Sequence, residues 1–348
     1  MLKLFTDIKF LSEENRSYVF PLVFDLYFSK SKFLSKFYCL TENIKDSDII
    51  ILPLEYAFMI KNYKNYLDPF FNQAKKYNKP IWVYSGGDFG ISLVDNQIYN
   101  FRLGGFKSKL NDRTIILPSF VTDPYLEHLN KNFKPLKKED VPSIGFVGHA
   151  KGGYIKFIKE LLIYLGINAK RLVKFEYADY QSFYPSSIKR AKYLKYLKLN
   201  NYLKTDFILR DKYRAGVTSE ENKKKTTIEF YKNIYENPYT FCMRGGGNFS
   251  VRFYETLAVG RIPILLDTDC LLPLASMINW NDHCIILNDS EYKILSDKIV
   301  HFHNNLSDEG FIKIQNRNRK LWEDFLTRHS FFQILHNLFL DKINDHDS

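Results

Sequence analysis

Three glycines, two arginines and a glutamate fall within the single run "RGGGNFSVRFYE", from Arg244 to Glu255. Gly245, Gly246 and Gly247 remove every side chain at one point of the backbone, which allows positive φ and close approach of a ligand to the main chain. Asn248 or Ser250 can cap the helix that follows, and Gly260 ends it. A glycine turn at a helix amino end offers free N–H groups and partial positive charge, a setting that suits phosphate. Arg244 or Arg252 can neutralise phosphate oxygens through bidentate contacts. Glu255, one turn below Arg252, repels phosphate but suits neutral ribose hydroxyls. A nucleoside diphosphate satisfies both demands. Its phosphates would sit on the backbone N–H groups of Gly246, Gly247 and Asn248 and on the Ser250 hydroxyl, and its ribose on Glu255. The competing reading is a tight turn closed by a structural Arg252–Glu255 pair.

Strands and helices must carry this turn to a cleft. In the first half, LKLFT, DIIILPL, PIWVYSGG and TIILPSF are near-continuous apolar runs, and FPLVFDLYFSKSKFLSKFY and YLDPFFNQAKKYN between them have helical periodicity. That alternation predicts βαβ units and a parallel sheet covered on both faces. The charged, proline-bearing KPLKKEDVPS, Lys134 to Ser143, reads as a linker. The pattern restarts with SIGFVGHAKGGY and a helix, YIKFIKELLIYLG; LVKFEYA, YTFCMR, RIPILLD and HCIIL are the later strand candidates. The expected division is 1–138, an acceptor-side domain; 139–320, a nucleotide-binding domain; and 321–348, a helix crossing back to the first domain. Ligands of such domains bind at the carboxyl ends of the strands.

The stretch "RGGGNFSVRFYETLAVGRIPILLDTDCLLP" resembles the signature of exostosin-type (family 47) glycosyltransferases, especially their unanchored bacterial members. DIIILP, SGGDFG, LPSFVTDP, SIGFVG and FILRDKYRAG accompany it in order, so the resemblance spans roughly residues 45 to 290. It implies an α/β protein of GT-B fold, two Rossmann-like domains facing across a cleft, and inverting transfer of a sugar from a nucleotide donor, usually a UDP-sugar. The expected acceptor is a glycan or lipid-linked oligosaccharide in surface polysaccharide synthesis. Animal and plant members carry a membrane anchor; the opening MLKLFTDIKFL reads here as a strand, which makes a cytoplasmic setting the expectation, with peripheral contact at the inner membrane face.

Within that frame, inverting transfer needs a base for the acceptor hydroxyl. Asp88, in SGGDFG at the end of a first-domain strand, takes that role, with Glu55 and Asp123 in reserve and an Asx-turn as the structural alternative. Arg210 of FILRDKYR is placed on the leaving diphosphate, with Arg214 second. Gly148 opens GHAKGG, next to where GT-B donors place their diphosphate; a flexible loop without ligand is the plain alternative. The DTD at Asp267 to Asp269 follows a second-domain strand, where a GT-B fold implies no metal. Cys39, Cys242, Cys270 and Cys284 lack metal spacing, the histidines form no HExxH, and neither a metal nor another cofactor is expected.

A net charge of +11 favours anionic partners without choosing among them. The run SSIKRAKYLKYLKLNNYLK, with Lys189, Arg190, Lys192, Lys195 and Lys198, reads first as a solvated helix face and next as an interfacial helix on anionic lipid. No nucleic-acid motif accompanies it, so nucleic acid is not expected as a partner. The alternatives to a transferase are a catalytically inactive basic membrane- or nucleic-acid-binding module on the same fold, and a nucleotide-sugar epimerase or phosphorylase.

Overall fold

The computed structural model describes residues 1–211 and 216–347. The first half builds β1 (Leu2–Phe5), α1 (Pro21–Tyr27), β2 (Tyr38–Thr41), β3 (Ile49–Ile51), α2 (Tyr56–Asn62), α3 (Lys64–Lys76), β4 (Ile81–Tyr84), β5 (Ile98–Arg102) and β6 (Thr114–Ile116). The six strands pair in parallel in the order β2-β1-β3-β4-β5-β6. Ile49, Ile50, Ile51, Ile81, Trp82 and Val83 are all fully buried, as their unbroken apolar runs require of a sheet covered on both faces.

The second half builds β7 (Ser143–His149), α4 (Tyr154–Leu172), α5 (Ser186–Lys198), β8 (Lys204–Arg210), α6 (Glu220–Glu236), β9 (Tyr239–Met243), α7 (Val251–Ala258), β10 (Ile262–Asp267), β11 (Ile285–Asn288), α8 (Leu295–Asn305), α9 (Asp308–Leu321) and α10 (Arg328–Asp347). Its five strands are again parallel, in the order β11-β10-β9-β7-β8. Two Rossmann-like units therefore stand side by side, which is the GT-B arrangement.

The chain crosses between the units twice. After α9 it leaves the second unit through a one-turn π-helix at Trp322–Leu326, and α10 then lays Phe331, Phe332, Leu335 and Phe339 into the core of the first. Phe339 meets Trp82 edge to face at 4.7 Å, and Tyr38 donates from its hydroxyl to the Phe332 carbonyl at 2.7 Å.

Sequence periodicity and structure part at four places. LVKFEYA is no strand: Lys174 sits at φ 58°, Leu172, Val173 and Phe175 are exposed, and the place beside β7 is taken by β8, which is not among the expected strands. β2 starts at the last residue of what reads as helix, where no strand is expected, and β5, with buried Asn100 and Arg102, lacks an apolar run altogether.

Candidate functional site

The site forms where the carboxyl ends of β4, β7 and β9 meet. The glycine turn follows β9 directly. Among the glycines with positive φ none belongs to the triplet, so its lack of side chains serves contact and not unusual backbone geometry. An ideal Cβ on Gly246 would stand 2.7 Å from Asp88 Oδ2, and one on Gly247 would stand 2.1 Å from the Asp88 carbonyl oxygen. The Asp88 loop of the first unit is thus pressed onto the glycine turn of the second. The space among Arg244, Asn248, Ser250, Tyr254 and Cys270 is only about 10 Å³, room for a single water at most. A diphosphate on these N–H groups requires the two loops to separate.

Three arginines converge behind the turn. Arg244, 4% exposed, donates to Gln181 Oε1 and, at 2.7 Å, to the Gly246 carbonyl, with its guanidinium 4.8 Å from the Tyr184 ring centre. Arg190 reaches from α5 to donate to the His149 carbonyl at 2.8 Å and the Arg244 carbonyl at 2.9 Å. Arg252, in the first turn of α7, lies over the Phe146 ring at 4.3 Å and donates to the Val147 carbonyl at 2.7 Å. The Nε of all three is buried without a hydrogen-bond partner among the described residues, and neither Arg190 nor Arg244 makes an ion pair there. Burial lowers the pKa of each; that of Arg190 is pushed down to about 10, with the charge of Arg252 the next cause. Like charges held close in a low-dielectric place leave unused donors that suit an anion.

Gly148 makes this packing possible. An ideal Cβ there would stand 2.8 Å from the Arg252 guanidinium, so the position makes room for an arginine beneath the end of β7. His149 bridges the Arg210 carbonyl and the Ser187 hydroxyl; burial first, then Lys156 and Arg190, lower its pKa.

The remaining sequence candidates are placed as follows. Ser250 is the N-cap of α7 in position, but its side chain makes no capping bond. The Asn248 side chain joins the two units: its amide donates to the Gly105, Thr268 and Asp269 carbonyls and its oxygen accepts from Thr268. Only its backbone is left for a ligand. Glu255 is half-buried and bonded to the Tyr231 hydroxyl on α6, close enough to Arg252 to favour its charge. Arg210 points to α6, paired with Glu229 and donating to the Thr226 carbonyl at 3.1 Å, so it does not reach the glycine turn. Arg214 lies outside the described residues.

Among the three first-unit carboxylates, Glu55 caps α2 through Ala57 and Phe58 and also accepts from the Gly86 N–H. Asp123 is held by Arg319 at 2.6 Å. Asp88 is exposed, touches the glycine turn, and lies near enough to favour the charge of Arg244. In the DTD, Asp269 accepts from the backbone and hydroxyl of Ser108 in the first unit, and Asp267 from the Cys270 N–H at 2.8 Å, so the one carboxylate ties the units together and the other closes its own turn. No group of three metal-ligating side chains occurs among the described residues. The four cysteines are unpaired.

Sequence reasoning missed Arg190, Gln181 and Tyr184. It took Arg190 as one of five surface cations, but the five diverge: Lys189 pairs with Asp289, Lys192 lies over Tyr292 at 4.0 Å, Arg190 turns inward, and Lys192, Lys195 and Lys198 are exposed. Helical spacing puts Arg190 a full turn from Ser187 and Leu194, both buried, and that was the available signal.

Fold and site together define a two-unit GT-B architecture with an anion-attracting cluster at the inter-unit edge. No protein-family model and no curated protein matches the chain. Solved structures resemble it distantly. The structure of TarM is 12% identical over 91% of this chain at a TM-score of 0.38, and this chain spans 58% of its length. An alpha1,3-fucosyltransferase is 14% identical over 100% of this chain and 91% of its own, also at 0.38. An alpha-glucosyltransferase in complex with UDP-glucose and DNA containing an abasic site is 10% identical over 88% of this chain and 86% of its own, at 0.36.

Proposed function

We propose that the protein is an inverting glycosyltransferase of the exostosin type, moving a sugar from a nucleotide donor, a UDP-sugar, to a glycan or lipid-linked oligosaccharide in surface polysaccharide synthesis at the cytoplasmic face of a membrane. The observation that carries this reading is the convergence of Arg190, Arg244 and Arg252, each with an unused buried Nε, behind a glycine turn that meets the first-unit carboxylate Asp88. The arginines neutralise the donor diphosphate and the charge that grows on it as the sugar leaves. Glu255 takes the ribose hydroxyls, exchanging its bond to Tyr231 for them. Asp88 removes the acceptor proton as the new glycosidic bond forms and the bond to the diphosphate breaks on the opposite side. Because Asp88 now covers the turn, donor entry and product release require the units to part, a motion that can limit turnover.

A screen of radiolabelled nucleotide sugars, with and without a lipid-linked acceptor, tests the reaction. Calorimetry with UDP on the wild type, Arg244→Ala and Glu255→Ala tests the pocket. Transfer from none of the donors, together with unchanged UDP affinity in both variants, would sink the reading.

A further inference from the structure

No side chain of α4 is buried, although the helix runs for 19 residues. Tyr154, Ile155, Leu162 and Leu172 are 78%, 86%, 62% and 87% exposed, with Ile158 and Leu165 also open to solvent. At about 100° per residue these six fall within an arc of about 100°. The opposite side of the helix faces the protein. Phe157 and Tyr164 pack against Phe183 at 5.5 and 5.3 Å, the Tyr164 and Tyr180 hydroxyls bond at 2.7 Å, and Arg171 donates to the Ala178 and Asp179 carbonyls. Asp179 is in turn locked to Arg102 of the first unit at 2.7 Å. The helix is therefore fixed with its apolar face outward, and the patch exceeds the scattered apolar residues normal on a surface.

Charge identifies what covers it. Lys159 and Lys170 border the arc and are exposed. Glu160, the only acid between Tyr154 and Phe175, is paired with Lys156 at 3.4 Å. Lysines along the edge of an apolar helix face extend toward anionic headgroups while the face enters the acyl boundary. Two copies of the chain meeting through this face would set those lysines against each other.

We infer that α4 is an in-plane docking helix for an anionic lipid bilayer, and that this face, not the basic run of α5, seats the protein on a membrane. The docking stands on the surface alone and needs neither nucleotide nor turnover. Should the cleft take a lipid-linked acceptor, the same helix holds the cleft at the depth of its headgroup, since Gln181, two residues past Asp179, bonds Arg244.

Co-sedimentation of the full chain with phosphatidylglycerol-containing vesicles tests it, with pure phosphatidylcholine vesicles as the second arm. Binding is expected to the anionic vesicles, to weaken steeply with salt, and to be lost in Ile158→Ser/Leu162→Ser/Leu165→Ser. Lys159→Gln/Lys170→Gln should reduce it and Lys195→Gln/Lys198→Gln should leave it intact. None of the substituted side chains is buried, so unfolding temperatures should hold. In Leu162→Trp, fluorescence excited on anionic vesicles should shift to the blue beyond that of the wild type. The inference is overturned if the wild type stays in the supernatant, if the triple serine variant binds equally, or if the wild type is a lipid-free dimer that the triple variant converts to monomer.

Discussion

The Asp88 carboxylate occupies the place where a side chain on Gly246 would begin: an ideal Cβ would stand 2.7 Å from its Oδ2. At the neighbouring Gly247 the obstacle is the Asp88 main chain, 2.1 Å away. A side chain can rotate aside, whereas a backbone carbonyl moves only with its loop. Gly246→Ala should therefore be mild and Gly247→Ala severe, with the second lowering the unfolding temperature further and raising the radius of gyration in solution scattering as the units part. Equal effects of the two substitutions would contradict the closed contact.

Asp88→Asn should lower turnover by about a hundredfold, the usual contribution of a general base, with little change in UDP affinity. Glu55 and Asp123 are already held by backbone donors and by Arg319, so Glu55→Gln and Asp123→Asn should act through stability instead. Steady-state kinetics beside thermal unfolding separate the two kinds of effect. Near-normal turnover in Asp88→Asn would remove the base from this loop.

Arg190→Gln gives a sharper test of the arginine cluster. Loss of a charged hydrogen bond to a phosphate should weaken UDP by about 1.5–3 kcal/mol. The same change relieves repulsion from Arg252 and the burial of an unpaired charge, so the ligand-free protein should melt no lower than the wild type. A purely structural arginine gives the reverse pattern, lower melting with unchanged affinity. Calorimetry and a thermal scan distinguish them.

His149, His283 and His303 each have a pKa held below 6.5, with burial the leading cause. Such a histidine binds fewer protons folded than unfolded in the interval below 6.5, so stability rises with pH there and is lost as pH falls through it. Asp25, raised by burial, works in the opposite sense but in the interval above 3.8. The unfolding temperature should therefore fall as the pH is lowered from about 7 to about 5.5. His303 bonds the Tyr239 hydroxyl at 3.0 Å and the Glu139 carbonyl at 2.7 Å, and His303→Gln should flatten this limb. A pH-independent melting temperature across this range would contradict the assignment.

Local rules made part of this molecule legible. The glycine triplet, the Ser250 position, α7 and the terminating Gly260, at φ 71°, are adjacent in sequence, and their geometry depends on neighbours within a few residues. The parallel sheets followed from apolar runs that need cover on both faces. What stayed hidden depends on distant partners. Arg190 and Lys189 are adjacent cations on one helix, and only the placement of β7 and β9 turns one toward the site and the other toward Asp289. Asn248 looked like a cap and is a bridge between units, because Gly105 lies 143 residues away in sequence. The run YIKFIKELLIYLG reads as a helix, and its sequence does not reveal that Phe183 holds it with its apolar face out.

The seating of α10 has a consequence for how the chain is made. Trp82, Tyr99 and Tyr38 are sealed by residues beyond 328, so the first unit, though translated before the second, stays open until α10 has left the ribosome. The second unit, complete in its sheet by Asn288, has the earlier opportunity to close. Assembly then runs against the order of synthesis: the amino-terminal sheet waits with an uncovered aromatic face, which marks it as the surface a chaperone must shield.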